Sequence, residues 1–197
     1  MINNDKLEKN RLLFYSGIAG ILAPLISSIT IYVAINKAHL WFHWRHNWLS
    51  DLGVHAESET YFNSGLIVSG ALMILFSLGI YHFLKGNIVF KIGNATLFIG
   101  SISLMMIGVF TEDYDPTHYI VSVSFFSFMI LTALVLGVGF ILKRDWLGIL
   151  LVASSFLAGL MWAIPWNTTA GAIPEATSVA FLSLPIMVLG YKMIRSA

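Results

Sequence analysis

Six long apolar runs constrain this chain more than any other feature of its sequence. A bilayer core about 30 Å thick needs about 20 apolar residues of helix, and each run is close to that length. The runs contain no Asp, Glu, Lys or Arg apart from Glu175 at the start of the sixth and Lys192 at its end. A charge at the centre of a membrane helix costs about 2.5–3.5 kcal/mol on insertion scales. We therefore expect an all-α integral membrane protein, a single bundle of six transmembrane helices over residues 1–197. The predicted spans are 14–35, 64–84, 92–110, 119–142, 146–166 and 173–194.

Composition supports the membrane assignment and excludes several kinds of site. Hydrophobic residues make up 57% of the chain and charged residues 11%, whereas a soluble domain carries about 25% charged residues. Lipid must therefore cover much of the surface. No basic stripe with interleaved aromatic residues is present, so we expect no nucleic-acid partner. The chain has no cysteine, which excludes disulfides, iron–sulfur clusters and thiolate zinc sites.

The lysines and arginines are concentrated on one side of the predicted spans. Nine of the eleven lie there, against Lys37 and Arg45 on the other side. The nine are Lys6, Lys9, Arg11, Lys85, Lys91, Lys143, Arg144, Lys192 and Arg195. Because cytoplasmic loops carry the excess of Lys and Arg, we predict a multi-pass protein of the cell membrane with both termini in the cytoplasm. Most of the acids and histidines then fall at the outer face.

The segment after the first span is rich in histidine and tryptophan. If His39–Ser50 is helical, His39, His43 and His46 lie on one side and the tryptophans at 41, 44 and 48 on the other. That pattern is typical of a helix lying flat at the membrane interface. The three imidazoles could hold Zn or Cu, or they could simply be solvated or hydrogen-bonded at the interface. The sequence leaves both interpretations open.

The outer loops deliver a second set of polar groups to the mouth of the bundle. The candidate site residues are Asn47, Ser50, Asp51, Asn63, Asp113, His118 and Glu175. In one interpretation they cap helices and tie loops together. In the other, Asp51, Asp113, His118 and Glu175 converge as metal ligands or as an acid–base set. A Ser–His–Asp triad from Ser50, Asp51 and His118 is not expected, because adjacent Ser and Asp rarely offer that geometry and no nucleophile elbow is present.

Small residues recur along the fifth run. Ser155, Gly159 and Ala163 are spaced every four residues, which places them on one helix face. Such a ridge lets helix backbones approach closely in lipid. We expect this face to pack within the bundle, with a dimer seam as the alternative.

The loop motifs resemble a known membrane family. The motifs are Asn47-Trp48-Leu49-Ser50-Asp51-Leu52-Gly53 with Phe62-Asn63 beyond it, Gly108-x-Phe110 followed by acids and His118, and Ile173-Pro174-Glu175. Over nearly the whole chain they are similar to the family catalogued as domain of unknown function 998. A fainter likeness is to the DRAM-like group of six-span proteins, which also carry a Ser-Asp-x-Gly element after the first span.

The resemblance implies a compact six-helix membrane protein and no settled activity. The residues that match its motifs are Asn47, Ser50, Asp51, Gly53, Asn63, Gly108, His118 and Glu175. The histidine-rich stretch from His39 to His46 is not part of the family pattern, so a metal site there would belong to this protein alone.

Three functions remain open from the sequence. The first is a binding protein whose outer-face polar site accepts a lipid headgroup, an ion or a small molecule. The second is an accessory subunit of a larger membrane complex, with partner membrane subunits or a second copy of the chain docked on its exposed faces. The third is a membrane-embedded, metal-assisted hydrolase that acts on lipids. Transport is the weakest alternative, because the spans carry no charge near their centres.

Overall fold

The computed structural model describes the backbone of residues 4–197 and the side chains of residues 7–197, so the side chain of Lys6 lies outside it. Within this part of the chain there are six α-helices, two short 3₁₀ turns and no β-strand. The helices are α1 (Asn4–Lys37), α2 (Glu59–Phe83), α3 (Ile88–Val109), α4 (Thr117–Leu142), α5 (Leu147–Ala163) and α6 (Ala172–Ile194). Five of them are long and apolar enough to cross a membrane, and α5 is a shorter apolar helix. The chain is therefore an all-α, multi-pass membrane protein.

The helix ends follow local sequence signals. Helix α1 begins ten residues before the predicted span, because the polar tail before the apolar run is also helical. The fifth helix ends at Ala163 instead of at residue 166. Pro165 disfavours helical geometry at the residue before it, so α5 is short at this end.

Each helix packs against its neighbours in chain order, and α6 closes the ring on α1. Glycines allow the backbones of two pairs of neighbouring helices to come into close contact. A Cβ on Gly17 of α1 would lie 2.6 Å from the carbonyl oxygen of Gly190 on α6, and one on Gly148 of α5 would lie 2.7 Å from the carbonyl oxygen of Gly137 on α4. The ring leaves a small interior cavity of about 90 Å³, lined mostly by apolar side chains of α1, α2, α3, α4 and α6.

The helix predicted over His39–Ser50 is wrong. Residues 38–49 form turns and irregular backbone, followed by a 3₁₀ turn at Ser50–Gly53. Phe42 and Leu49 are buried against the bundle, and the Asn47 side chain accepts a hydrogen bond from the His43 N–H at 2.9 Å. That bond supports a turn in place of a helix. The segment therefore folds over one end of the helix ring.

The opposite end of the ring carries an ion pair. Lys192 of α6 pairs with Asp145 in the α4–α5 connection. Asp145 also accepts a hydrogen bond from the N–H of Leu147, the first residue of α5, at 3.1 Å. We call this the basic end, since Lys143 and Arg144 lie in the same connection.

Candidate functional site

Three connections meet at the other end of the bundle, which we call the polar end. They are the α1–α2 segment 38–58, the α3–α4 connection with a 3₁₀ turn at Glu112–Tyr114, and the α5–α6 loop 164–171. Helices α4 and α6 start here and α5 ends here. The predicted outer-face residues lie in or beside these three connections.

Asn47 and Asp51 organise the first connection. The Asn47 Nδ2 donates to Asp51 Oδ2 at 2.6 Å, and the Trp48 N–H donates to the same oxygen at 3.1 Å. The backbone of Asn47 contacts α6, because its carbonyl accepts a hydrogen bond from the Ala172 N–H at 3.1 Å. The two side chains therefore hold the turn in place, and the Asn47 backbone carbonyl joins it to the start of α6.

Glu175 stands at the centre of this end. Its side chain is only 8% exposed, and its Oε2 accepts a hydrogen bond from the Leu49 N–H at 2.7 Å. A buried carboxyl group is costly unless hydrogen-bonded, so this contact fixes the 3₁₀ turn against α6. The position in the first turn of α6 also suits a carboxylate, because helix N-termini favour negative charge.

Glu112 brings the second connection, between α3 and α4, into contact with the first. Its Oε1 accepts from the Ser50 hydroxyl at 2.5 Å. Burial raises the pKa of the Glu112 carboxyl above its ordinary value, and the nearby charge of Asp51 raises it further, although the Ser50 hydrogen bond and His118 act in the opposite direction. Three acids, Asp51, Glu112 and Glu175, thus share one desolvated region.

His118 is held in one tautomer by the turn before α4. Its Nδ1 lies 2.7 Å from the carbonyl oxygen of Phe110. A carbonyl can only accept, so Nδ1 carries the hydrogen and Nε2 of the neutral ring is an acceptor. Nε2 faces the hydroxyl of Ser122, one turn further along α4, at 3.4 Å.

A cleft of about 800 Å³ runs from these polar groups down between α4 and α5. Its upper wall, by which we mean the part nearest the polar end, carries Ser50, Glu112, Asp115, His118 and Glu175. Its lower wall is mostly apolar and comes from α4 and α5. The lower-wall residues are Val123, Phe126, Ser127, Ile130, Gly159 and Trp162.

The cleft opens sideways from the bundle. Tyr119 is 66% exposed and Val123 46% exposed along its α4 edge, and Trp162 on α5 is 40% exposed. These exposed residues lie on a membrane-length helix and its neighbour. Phe126 and Trp162 meet edge to face with ring centroids 4.8 Å apart. Ser50, Ser122, Phe126 and Glu175 also line the interior cavity, so they separate the two spaces.

Asn63 and two glycines hold α2 in place beside this site. The Asn63 Nδ2 donates to the Gly53 carbonyl at 2.8 Å. A Cβ on Gly53 would lie 2.6 Å from Asn63 Oδ1, and one on Gly108 would lie 2.5 Å from the Asn63 carbonyl. The glycine of the Ser-Asp-Leu-Gly element is therefore needed for close packing, and Asn63 does not line the cleft.

The histidine metal site is a prediction that the structure does not support. No group of three His, Asp or Glu side chains within the described residues is placed to hold a metal ion. His39 Nδ1 contacts the Asn36 carbonyl at 2.9 Å, whereas His46 Nδ1 contacts Thr169 Oγ1 at 3.1 Å. The spacing required a helix over 39–50, and without that helix the rings of His39 and His46 contact different partners. The same finding applies to the set Asp51, Asp113, His118 and Glu175.

The structure divides the predicted polar residues into those that line the cleft and those that do not. Ser50, His118 and Glu175 line the cleft, while Asn47, Asp51 and Asn63 organise the turns around it. Asp113 is exposed and its neighbour Glu112 faces inward, which no sequence pattern distinguishes. Ser122 was not among the candidates, although its spacing of four residues from His118 on one helix was a usable signal. Trp162 and Gly159 carried no such signal.

Comparison with known proteins gives one match. The family model described as "Protein of unknown function (DUF998)" matches residues 21–192. No curated protein and no solved structure matches the chain.

Proposed function

Because the chain belongs to the DUF998 family of proteins of unknown function, we propose its role from its own geometry: it binds a membrane amphiphile in the cleft between α4 and α5. The observation that carries this proposal is the cleft itself, polar at one end and apolar along the other. Ligand pockets have volumes of about 300–1,000 Å³, and this cleft is of that size. Its lateral opening gives a lipid a route from the bilayer without crossing water.

The two walls assign a place to each part of such a ligand. The apolar part lies along Val123, Ile130 and Trp162, where it exchanges one hydrocarbon environment for another. The headgroup lies beside Ser50, Glu112 and Glu175, within the polar end. Binding affinity would come mainly from the polar contacts, since lipid and apolar protein walls are nearly equivalent surroundings for a chain.

The charges in the cleft restrict the headgroup. Glu112, Asp115 and Glu175 line the upper wall, and no lysine or arginine of the described residues lines it with them. An acidic headgroup would meet the Glu112 and Asp115 carboxylates without a compensating cation, which costs free energy in a partly desolvated site. We therefore expect a neutral, zwitterionic or cationic headgroup with hydrogen-bond donors.

Gly159 provides a direct test. A Cβ at this position would meet nothing within 4 Å, so Gly159→Phe directs a ring into the open cleft that this residue lines. Purified, delipidated protein is incubated with dioleoyl phosphatidylethanolamine or dioleoyl phosphatidylglycerol, and native mass spectrometry counts bound lipid. We expect retention of the zwitterionic lipid at least about tenfold better than of the acidic one, equivalent to about 1.4 kcal/mol, and loss of that retention in Gly159→Phe.

Leu160→Phe is the matched control. Leu160 is the next residue on α5, is 50% exposed and does not line the cleft, so the same ring there leaves retention unchanged. Equal retention by both variants, or no preference between the two lipids, would contradict the proposal. Association with partner subunits or a second copy stays a prediction, and the same spectra report it as added protein mass.

We also propose that the polar end faces the outside of the cell membrane and that both termini are cytoplasmic. The support is the excess of Lys and Arg at the basic end and along the N-terminal tail. The absence of cysteine makes single-cysteine labelling unambiguous. In intact cells, a membrane-impermeant maleimide should label Ala56→Cys at the polar end, whereas Lys85→Cys should react only after permeabilisation. The reverse pattern would invert the topology.

A further inference from the structure

We propose that Ser122 and His118 form a nucleophile–base pair that cleaves an ester bond of the amphiphile bound in the cleft. This inference rests on the proposed binding function and gives it a chemistry. It differs from the predicted metal-assisted hydrolase, because it requires only side chains that the structure places together.

The pair has the connectivity that serine nucleophiles need. His118 and Ser122 are four residues apart on α4, so their side chains share a helix face. The Phe110 carbonyl holds the Nδ1–H at 2.7 Å, and this orients the Nε2 lone pair toward the Ser122 hydroxyl at 3.4 Å. A base positioned by a third group and within reach of a hydroxyl is the general arrangement for activating serine. Contacts of this kind are often long without substrate and shorten on binding.

Glu112 supplies an electrostatic partner for the charged base. The positive charge of a protonated His118 lowers the pKa of the Glu112 carboxyl, so the two groups interact across the upper wall. The Glu112 carboxylate therefore faces the ring that receives the Ser122 proton. In hydrolases with a Ser–His–Asp triad, a carboxylate has this role through the other ring nitrogen. Here a backbone carbonyl fixes the tautomer, and a separate acid supplies the charge.

The depth of Ser122 matches the chemistry of a glycerolipid. Ser122 is five residues beyond Thr117, where α4 begins, which is about 8 Å along the axis at 1.5 Å per residue. The ester bonds of a glycerolipid lie between its headgroup and its hydrocarbon chains. In the cleft, the acids lie closer to the polar end than Ser122, and Val123, Phe126 and Ile130 lie closer to the basic end. A headgroup beside Glu112 and Glu175 therefore brings an ester to Ser122.

The reaction is ordinary ester hydrolysis in two steps. Ser122 Oγ bonds to the ester carbonyl carbon while its proton passes to His118 Nε2, and the carbonyl becomes a tetrahedral oxyanion. The ester C–O bond then breaks, and the leaving alcohol takes the proton from Nε2. Water repeats the sequence on the acyl-serine, giving its proton to Nε2, and Ser122 regains a proton as the fatty acid leaves. Side chains with N–H donors that line the same cleft are Trp48 and Trp162.

An active-site probe tests the nucleophile directly. Protein in lipid nanodiscs is treated with a fluorophosphonate, which loses fluoride to an activated serine and leaves a stable adduct. We expect one adduct, located on Ser122 by peptide mass spectrometry, and release of oleate from dioleoyl phosphatidylethanolamine by untreated protein. Ser122→Ala should abolish both. Ser124→Ala, which removes a hydroxyl from α4 outside the cleft, should change neither.

The His118→Asn variant tests whether His118 acts as a general base or only supports the structure. The Asn side chain can still donate a hydrogen bond to the Phe110 carbonyl, but it has no ring nitrogen to accept the Ser122 proton. We expect adduct formation and oleate release to fall at least about 100-fold, as general-base removal typically does, while lipid retention by native mass spectrometry stays as in the unmodified protein.

The outcomes distinguish the two proposals. If lipid is retained but no adduct forms on Ser122 and no oleate is released, the catalytic inference is wrong and the binding function stands. Labelling that persists in Ser122→Ala would also overturn it. If the cleft retains no lipid and Ser122 does not react, both proposals fail.

Discussion

The two ends of the seam between α4 and α5 differ in a way that defines this molecule. Gly148, Ser155 and Gly159 lie on nearly the same face of α5, because 7 and 11 residues at about 100° each return close to the starting direction. At Gly148 a Cβ would lie 2.5 Å from the Ile141 amide nitrogen, and at Gly159 it would meet nothing within 4 Å. Between them, the Ser155 hydroxyl donates to the Ile130 carbonyl at 2.9 Å. The helices therefore touch near the basic end and separate toward the polar end.

This difference shows that small residues along one face of α5 have two structural roles. At the basic end, small residues allow backbones to touch. At the polar end, the missing side chain of Gly159 forms part of the wall of a cleft. The predicted packing role of the Ser155–Gly159–Ala163 ridge is therefore confirmed at Ser155 and wrong at Gly159. Since the residue type is the same at 148 and 159, only the position of α4 decides which role glycine has.

The largest effect should come from the same substitution at the two glycines. Gly148→Leu forces α5 away from the α4 backbone, and we expect a loss of about 3 kcal/mol or more in the free energy of unfolding, at the upper end of overpacking costs. Gly159→Leu fills open space and removes a helix-destabilising glycine, so stability should stay unchanged or rise by up to about 1 kcal/mol. Denaturant unfolding in detergent micelles, followed by circular dichroism, measures both. Equal destabilisation by both variants would show that the seam is closed along its whole length.

An intermediate effect is expected at Ser155, where the seam is still closed. Ser155→Ala keeps the small size but removes the hydrogen bond to the Ile130 carbonyl. Because interhelical hydrogen bonds in membranes contribute about 0.6 kcal/mol on average, we expect a loss of that order in the same unfolding assay. Ser127→Ala on the open part of the cleft is the control and should cost less. A larger loss at Ser127 would place the closed part of the seam nearer the polar end.

The smallest effects should be the opposite pH responses of the two ends. Burial raises the pKa of Glu112 from an ordinary value of 4.5, so stability from this group is complete below about 4.5 and is lost as pH rises through its folded pKa. Burial alone would also raise the pKa of Asp145, but Lys192 and the Leu147 N–H lower it below 3.8. Its contribution is present above that value and is lost as pH falls through the folded pKa.

Replacing each carboxyl group with the matching amide separates the pH responses of the two ends. Melting temperatures measured between pH 3.5 and 7 should show that Glu112→Gln weakens the loss of stability above pH 4.5, while Asp145→Asn weakens the loss at the acidic limit. Both shifts should be small, because both sites are partly exposed and solvent screens their charges. A Glu112→Gln variant with an unchanged profile would mean that this carboxyl is solvated in the folded protein.

The sequence predicted the helices well because bilayer energetics act on each run by itself. Every predicted span has its helix, and the ends differ mainly where a proline or a polar tail intervenes, as at Pro165 and before Phe14. The 38–58 segment was not predictable in this way. Its conformation depends on Glu175 and Ala172, which are more than 100 residues away and hydrogen-bond to its backbone.

The candidate site was predicted in part for the same reason. Ser50, His118 and Glu175 belong to motifs at the ends of spans, where connectivity alone brings them to one end of the bundle. Whether Glu112 or Asp113 turns inward depends on how a three-residue 3₁₀ turn is oriented by its neighbours. The pairing of His118 with Ser122 depends on a carbonyl eight residues before the histidine.

The sequence by itself determined that this chain forms membrane-length apolar helices and that most of its acids and histidines gather at one end, because the cost of burying charge in lipid can be read from each segment alone. Only the tertiary structure decided that α4 and α5 separate above Gly159, that a cleft of about 800 Å³ results, and which polar groups line it. These features depend on the distances between helices, and those distances are set by many side chains packing together, so no single segment encodes them.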